Sequence, residues 1–372
     1  MDWFYTQPVK ILFKTGGLAG LGDELEKNGY NGGILICDPF FIKSGLAGKI
    51  QNIAKGRLRA VFSDITPNPL VDEVDACARV IRQGDYDFAL AVGGGSAMDL
   101  AKAACAVAAH DGSIRAFHSG GKVFSRPGIP LIAVPTTAGT GSEVTCVSVL
   151  SDPDSGAKAP ISSDFMFAKL IVVDPELTLS VPADVTASTG LDVLSHALEG
   201  FWSKNHQPVC DALALHSAKL VFENLLNVFD NVNDLSAREK MCEASVIAGL
   251  AFALPKTAAA HACSFPLTSI YRIPHGEACA FTLDSLCEIN ATAEHGRLDT
   301  FARALGFSGA MEMGNRIFEM KKYTGMRMTL SDIGLSETDL PEFVKKCHHP
   351  NLLNNPVELD DEVLTRMFLS KQ

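Results

Sequence analysis

Residues 87–110, DFALAVGGGSAMDLAKAACAVAAH, pass from an unbroken apolar run through three glycines into a stretch with helical spacing. A continuous apolar run of this length is what a strand covered on both faces of a parallel sheet requires. The segment from Ser96 onward opens a helix directly after the glycines. Backbone N–H groups of Gly94, Gly95 and Ser96 then point out of a helix N-terminus, where a phosphate is the natural occupant. Missing Cβ atoms let the backbone come close to it. One such loop is also what a ligand-free strand-to-helix turn looks like, and GGGSAMD is not G-x-G-x-x-G.

Working outward, GGILICD (32–38) and PLIAVPTT (130–137) read as further buried parallel strands, and PLVDEVDACARVIRQG (69–84) carries apolar residues at helical spacing. A second loop, PTTAGTGSE (135–143), follows its own strand and offers the hydroxyls of Thr136, Thr137, Thr140 and Ser142. Two such loops at neighbouring strand ends are hard to explain without a ligand. Asp38 closes the strand ILIC, where a carboxylate accepts hydrogen bonds from an adenosine ribose and repels the 2′-phosphate of NADP, which favours NAD. The expected fold is an α/β N-terminal dinucleotide-binding domain with a parallel sheet over residues 1–180. Between Pro175 and Pro182 the pattern changes to long helical segments, as in PVCDALALHSAKLVFENLLNVF (208–229) and AREKMCEASVIAGLAF (237–252). Residues 181–372 are therefore expected to form an all-helical domain. No internal repeat or low-complexity tract interrupts the chain.

The 372 residues carry a formal charge of −11 with 47% hydrophobic residues, which disfavours nucleic acid or an anionic membrane surface as a partner. The N-terminus MDWFYTQPVKILFKTGG has no basic segment before an apolar run, so a cytoplasmic location is expected. Ten cysteines are scattered without a C-x-x-C pair and read as small buried hydrophobes.

In TGLDVLSHALEG, Asp192 and His196 are four residues apart and share one helical face. Alone, such a pair is often a surface interaction or a buried hydrogen bond. His261 and His275, in TAAAHACSFPLTSIYRIPHG (257–276), sit among apolar neighbours; each alone reads as a hydrogen-bonded core residue. Together the four make an Asp-plus-three-His set suited to Fe(II) or Zn(II). His348 and His349 are adjacent and point apart, which fits solvated residues. Glu199, Trp202 and FENLLNVF read as packing or helix surface, and Pro160 as the end of the GAKAP turn.

At these residues the chain resembles the iron-containing (group III) alcohol dehydrogenases. The resemblance rests on GGGSAMD, PTTAGTGSE, VPADVTASTGLDVLSHALE, AGLAF, HACSF, PHG and NNP (354–356), in order across nearly the whole length. It implies a dehydroquinate synthase-like architecture and a divalent ion, Fe2+ or else Zn2+ or another metal, held by Asp192, His196, His261 and His275. For NAD(H) it implies Asp38, Gly94, Gly95, Ser96, Asp99, Thr136, Thr140, Ser142 and Val149, with Lys158 near the nicotinamide ribose. The implied reaction is hydride transfer between NAD(H) and a short-chain aldehyde or alcohol, and a homodimer is the expected assembly. The rival expectations are a glycerol-dehydrogenase-like or dehydroquinate-synthase-like relative, a plain short-chain alcohol or diol dehydrogenase, and a catalytically silent NAD-binding or assembly protein.

Two departures bear on the substrate. Where the family often has a further histidine, four residues after the third ligand, this chain has Phe265, and ALPKTAAA (253–260) replaces an Asn-rich segment. If that segment is helical, Lys256 lies little more than one turn from His261. With Thr257 and Arg272 it could hold a compact anion, pointing to an aldehyde such as sulfoacetaldehyde or phosphonoacetaldehyde. Solvated Lys256 and Arg272, with a plain aldehyde as substrate, is the alternative.

Overall fold

Short aliphatic runs in the first half of this chain form the buried strands of a parallel sheet. A computed structural model describes residues 3–118 and 120–371. Its strands are β1 (Lys10–Phe13), β2 (Gly33–Cys37), β3 (Leu58–Phe62), β4 (Phe88–Gly93), β5 (Leu131–Pro135), β6 (Val147–Asp152), β7 (Ala157–Ser162) and β8 (Leu170–Val173). Six of them form one sheet in the order β1-β8-β5-β4-β2-β3, and every pairing is parallel. Every residue of β2, β4, β5 and β8 is buried, which explains why these strands are continuous rather than alternating apolar runs.

The strand order places a ligand crevice. From β2 the chain moves outward to β3, then returns to β4 on the other side of β2. The connections therefore diverge between β2 and β4, and the crevice at a switch point lies beyond the carboxyl ends of those strands. Asp38 follows β2, Gly94 to Ser96 follow β4, and Thr136 follows β5.

The remaining strands, β6 and β7, form an antiparallel hairpin. Pro160 belongs to β7, opposite Val149, and does not merely end a turn. Its partner Val149 turns its own N–H away from the hairpin to Asp99, so this pair needs no N–H from position 160.

Among the described residues no strand follows Val173. The helices include Ala183–Trp202, Pro208–Asp230, Leu235–Phe252, Ala259–Ser269 and His275–Asn290. A single large cluster of Leu, Ala, Phe and Met side chains fills their interior. This is the expected α/β domain followed by a helical region. Two compact units result: Thr6–Thr137 with Gly141–Leu179, and the helices after Ser180 together with Ala138–Thr140 and the first few described residues. Three residues of the second glycine loop thus group with the helices that follow much later in sequence.

No helix among the described residues is long and apolar enough to cross a membrane. Among the described residues none of the ten cysteines is in a disulfide; nine are buried and Cys146 is half-buried.

Candidate active site

In the α/β unit the first glycine loop is shaped by close approach. Gly93 has φ +156°, and a Cβ there would lie 2.6 Å from the Ala97 side chain. A Cβ on Gly94 would come within 3.1 Å of Thr137 Oγ1, so the two loops touch through that glycine. Thr136 N–H donates to Gly93 O at 3.0 Å.

Behind the loops sits a polar network. Asp99 accepts from Ser142 Oγ (2.5 Å) through one oxygen and from Val149 N–H (2.9 Å) through the other. Ser148 Oγ donates to Asp99 O at 2.8 Å. Ser142 and Val149 therefore both bind Asp99, which ties the Gly95–Ala108 helix to the second loop and to β6.

Two residues of this region escaped the sequence reading. Lys102, only 1% exposed, donates to Ser142 Oγ (2.6 Å), Thr145 Oγ1 (3.2 Å) and Val147 O (2.7 Å), with Asp99 at 3.6 Å. Asn68, with φ +59°, gives its N–H to Ser96 Oγ (3.3 Å) and accepts from Lys158 Nζ through Oδ1 (2.8 Å). Asparagine is one of the few side chains that tolerate this left-handed backbone. It links Lys158 to the helix N-terminus. Asp38 caps the Pro39–Lys43 helix by accepting from Phe40 N–H at 2.7 Å through Oδ1.

In the helical unit the Ala183–Trp202 helix carries Asp192 and His196 on one face. His261 is in the first turn of Ala259–Ser269, and His275 begins His275–Asn290. Gly276 after His275 is required by packing, because a Cβ there would fall 2.0 Å from Ser188 O on the neighbouring helix. The PHG motif thus combines a helix start, a donor and a close helix crossing.

The donors converge. His196 Nε2 and His261 Nε2 are 3.0 Å apart, and His261 Nε2 is 3.7 Å from Asp192 Oδ1. Donor atoms of Asp192, His261, His275 and Cys279 all lie within 4.8 Å of one another.

Glu199, read from sequence as packing or helix surface, is fully buried and belongs to this cluster. Its Oε2 accepts a very short hydrogen bond from His261 Nδ1. Its Oε1 accepts from Ala260 N–H (2.6 Å) and His261 N–H (3.3 Å), capping a helix whose own N-cap residue, Ala258, has no side-chain acceptor. With Nδ1–H committed to Glu199, the Nε2 lone pair of His261 is turned toward the other donors.

Burial first, and then His261 and His275, hold His196 well below the usual histidine range, so it is neutral. Burial opposes charge on His261 as well, but Cys279 and Glu199 beside it reverse the sign and hold its pKa well above the usual value. Three imidazoles and a carboxylate, all buried except the half-buried His275, converge as donors that fit a divalent ion, and the N/O set suits Fe(II) or Zn(II).

The substrate candidates are arranged differently from expectation. Residues 253–258 are not helical, and the helix starts at Ala259. Lys256 stands exposed in that turn with φ +68°, and its Nζ donates to Ala253 O at 2.9 Å. Thr257 is buried and accepts from Asn351 Nδ2 at 2.7 Å. Asn354 Nδ2 donates to Pro255 O (2.8 Å) and Thr257 O (3.1 Å), while Asn355 pairs with Asn290. The NNP motif thus fastens the turn before His261. Arg272 is exposed with φ +60°. Phe265 lies one turn beyond His261 and packs on the ring of His349, 4.5 Å between centroids, so His349 is half-buried rather than solvated. His348 is exposed beside Asp361.

Comparison with known proteins follows the same division of the chain. Residues 8–175 match the family model for iron-containing alcohol dehydrogenase, and residues 186–371 match the C-terminal model of the Fe-containing alcohol dehydrogenase family. Long-chain-alcohol dehydrogenase 1 of Geobacillus thermodenitrificans is 35% identical over 342 residues, 89% of this chain and 86% of that one. NAD-dependent methanol dehydrogenase of Bacillus methanolicus is 31% identical over 93% of each chain. Sulfoacetaldehyde reductase from Bifidobacterium kashiwanohense, solved with NAD+, is 52% identical with a TM-score of 0.97, over 100% of this chain and 98% of that one. The chain belongs to the iron-containing alcohol dehydrogenase family. It is an oxidoreductase of that type, and NAD(H) and iron are the cofactors of its family.

Proposed function

We propose that this enzyme reduces a short aldehyde bearing an anionic head group, such as sulfoacetaldehyde or phosphonoacetaldehyde, at the expense of NADH. The observation that carries the reading is the 52% identity, over the whole chain, to a sulfoacetaldehyde reductase. Asp192, His196, His261 and His275 hold the divalent ion, with Glu199 fixing the His261 ring. The bound ion supplies a Lewis acid for the substrate oxygen. Asp38 takes the adenosine ribose, and the backbone at Gly94, Gly95 and Ser96 takes the pyrophosphate. Thr136, Thr137 and Thr140 line the second loop, while Asp99, Ser142 and Val149 set its shape and Asn68 positions Lys158.

Lys256, Thr257 and Arg272 are the groups for the head group. One of the three ammonium donors of Lys256 meets Ala253 O, and the others serve the anion. Phe265 has no proton to give, so the product hydroxyl takes its proton from solvent or from a cofactor hydroxyl. A homodimer is proposed as the assembly, to be read by light scattering.

The test compares kcat/KM for the two anionic aldehydes with that for propanal, in wild type and Lys256→Ala. A charge-assisted contact of ~1.5–3 kcal/mol predicts a loss of roughly tenfold or more on the anionic aldehydes alone. A wild type that prefers propanal returns the protein to the plain short-chain dehydrogenases. Equal loss on all substrates removes Lys256 from the pocket.

A further inference from the structure

The four residues proposed as ligands do not exhaust the donors at this point. Cys279 lies one turn after His275 on the same helix, so the two side chains share a face. It is completely buried, and its Sγ is 3.8 Å from His275 Nε2. That sulfur, with one donor atom each from Asp192, His261 and His275, forms the set whose members all lie within 4.8 Å of one another. Three different helices contribute to it.

The spacing matters more than the proximity. Metal–ligand bonds of about 2.1 Å to nitrogen and about 2.3 Å to sulfur place neighbouring donors of one ion roughly 3.3–3.8 Å apart. The Cys279 Sγ to His275 Nε2 separation (3.8 Å) and the Asp192 Oδ1 to His261 Nε2 separation (3.7 Å) are of that size. Without an ion this contact is a sulfur–imidazole hydrogen bond, and the same separation suits two donors of one ion.

We propose that Cys279 is itself a donor to the resident divalent ion, so that the centre combines carboxylate, imidazole and thiolate ligands. This rests on the assignment of the ion to Asp192, His196, His261 and His275. As the sulfur–metal bond forms, the S–H bond breaks and its proton leaves to solvent; no oxidation state changes. A thiolate softens the site, favouring Fe(II), Co(II) and Zn(II) over Mn(II) and Mg(II).

The experiment loads the metal-free full-length protein with Co(II) and records its near-ultraviolet and visible spectrum beside Cys279→Ser and Cys279→Ala. Wild type is expected to show a thiolate-to-cobalt charge-transfer band in addition to the ligand-field bands, and both variants are expected to lose it. Zn(II) affinity, read by chelator competition, is expected to fall by roughly tenfold or more in Cys279→Ser, while Mn(II) affinity changes much less. Wild type that binds Co(II) stoichiometrically without the charge-transfer band overturns the inference and leaves the four-ligand assignment standing. Because that reading needs no variant, a folding defect in either substitution does not protect the proposal. A wild type that takes up no cobalt overturns both. A band that survives in both variants assigns the sulfur to another cysteine and also overturns it.

Discussion

Two buried polar clusters, one in each unit, use charge in opposite ways. Around Lys102 the α/β unit closes its own circuit: the ammonium meets Asp99, Ser142, Thr145 and a backbone carbonyl, and Asp99 spends both oxygens on Ser142 and Val149. Around His261 the helical unit gathers two carboxylates, Asp192 and Glu199, against imidazoles that carry full charge only when protonated. The first cluster is a finished structural joint that holds backbone in place for a ligand. The second gathers carboxylate and imidazole donors of the kind that suit a divalent cation. Residues that look alike in sequence, an acid and a base a turn or so apart on a helix, therefore do different work according to what else the fold brings beside them.

The strongest way to break the contrast is to remove a donor from the open cluster. His261→Ala or His275→Ala is expected to lose bound metal and to lower kcat/KM by about a thousandfold or more, the several kcal/mol that a Lewis acid contributes. NADH binding, followed by fluorescence, should remain nearly intact. Stoichiometric metal in both variants would falsify the ligand assignment.

The closed cluster should answer through stability. Lys102→Met leaves the half-buried Asp99 without its ammonium and takes the donor from Ser142, Thr145 and Val147 O, a change that costs about 2–3 kcal/mol in denaturant unfolding. It should also loosen NADH binding through the second loop while leaving metal uptake alone. A pH series sharpens this. Burial, set against attraction from Asp99 and Glu143, lowers the Lys102 pKa from 10.5. The folded chain therefore releases this proton at lower pH than the unfolded chain, so between the folded value and 10.5 the lysine makes stability rise with pH. The variant should lack that rise. An unchanged slope, or lost metal, would show that Lys102 is not confined to the joint.

Glu199→Gln probes a member of the open cluster that does not face the ion. Glutamine keeps one oxygen for the helix N–H groups but presents an amide where His261 Nδ1–H needs an acceptor, disturbing the tautomer. Metal affinity should fall by roughly 10- to 100-fold, with the thermal stability of the metal-free protein changed far less. Equal affinity in the variant and wild type would make Glu199 a helix cap only.

What could be read from sequence was what is local in sequence. The β4–loop–helix segment and the Asp192/His196 pair each fit within a few residues, where spacing alone sets the geometry. Glu199 was not legible because the residue it orients is 62 positions away. A signal existed, since 192, 196 and 199 follow one helix face. Lys102 was obscured by its setting among alanines, although its spacing of three from Asp99 was available. The short strands β1, β3 and β8 gain stability only from neighbours distant in sequence. At 253–258 the local signal against a helix is Pro255. A proline in that position removes a helical N–H and clashes with the preceding turn, and the Asn351 and Asn354 partners that hold the actual turn lie 94 to 99 residues on.

The smallest expected effect lies at the edge of the nucleotide crevice. Asp38 uses Oδ1 to cap the helix after β2, leaving the carboxylate charge at the strand end where an acidic residue meets the ribose. A second negative group at the 2′ position is disfavoured by that charge, and NADPH loses the ribose hydrogen bond as well. Asp38→Gly removes both effects. Glycine is the suitable replacement because it is a tolerable N-cap, costing only a few tenths of a kcal/mol where alanine costs ~1. Any change in coenzyme choice is then separable from damage to the Pro39–Lys43 helix. Wild type should prefer NADH over NADPH in kcat/KM, and the variant should narrow the ratio by about tenfold, which corresponds to ~1.4 kcal/mol. The narrowing should come partly from weaker NADH binding and partly from tolerance of the phosphate, so KM for both coenzymes must be measured, with metal content unchanged. Equal use of the two coenzymes by wild type, or a ratio that the substitution does not move, would take Asp38 out of coenzyme selection and leave it only the helix cap.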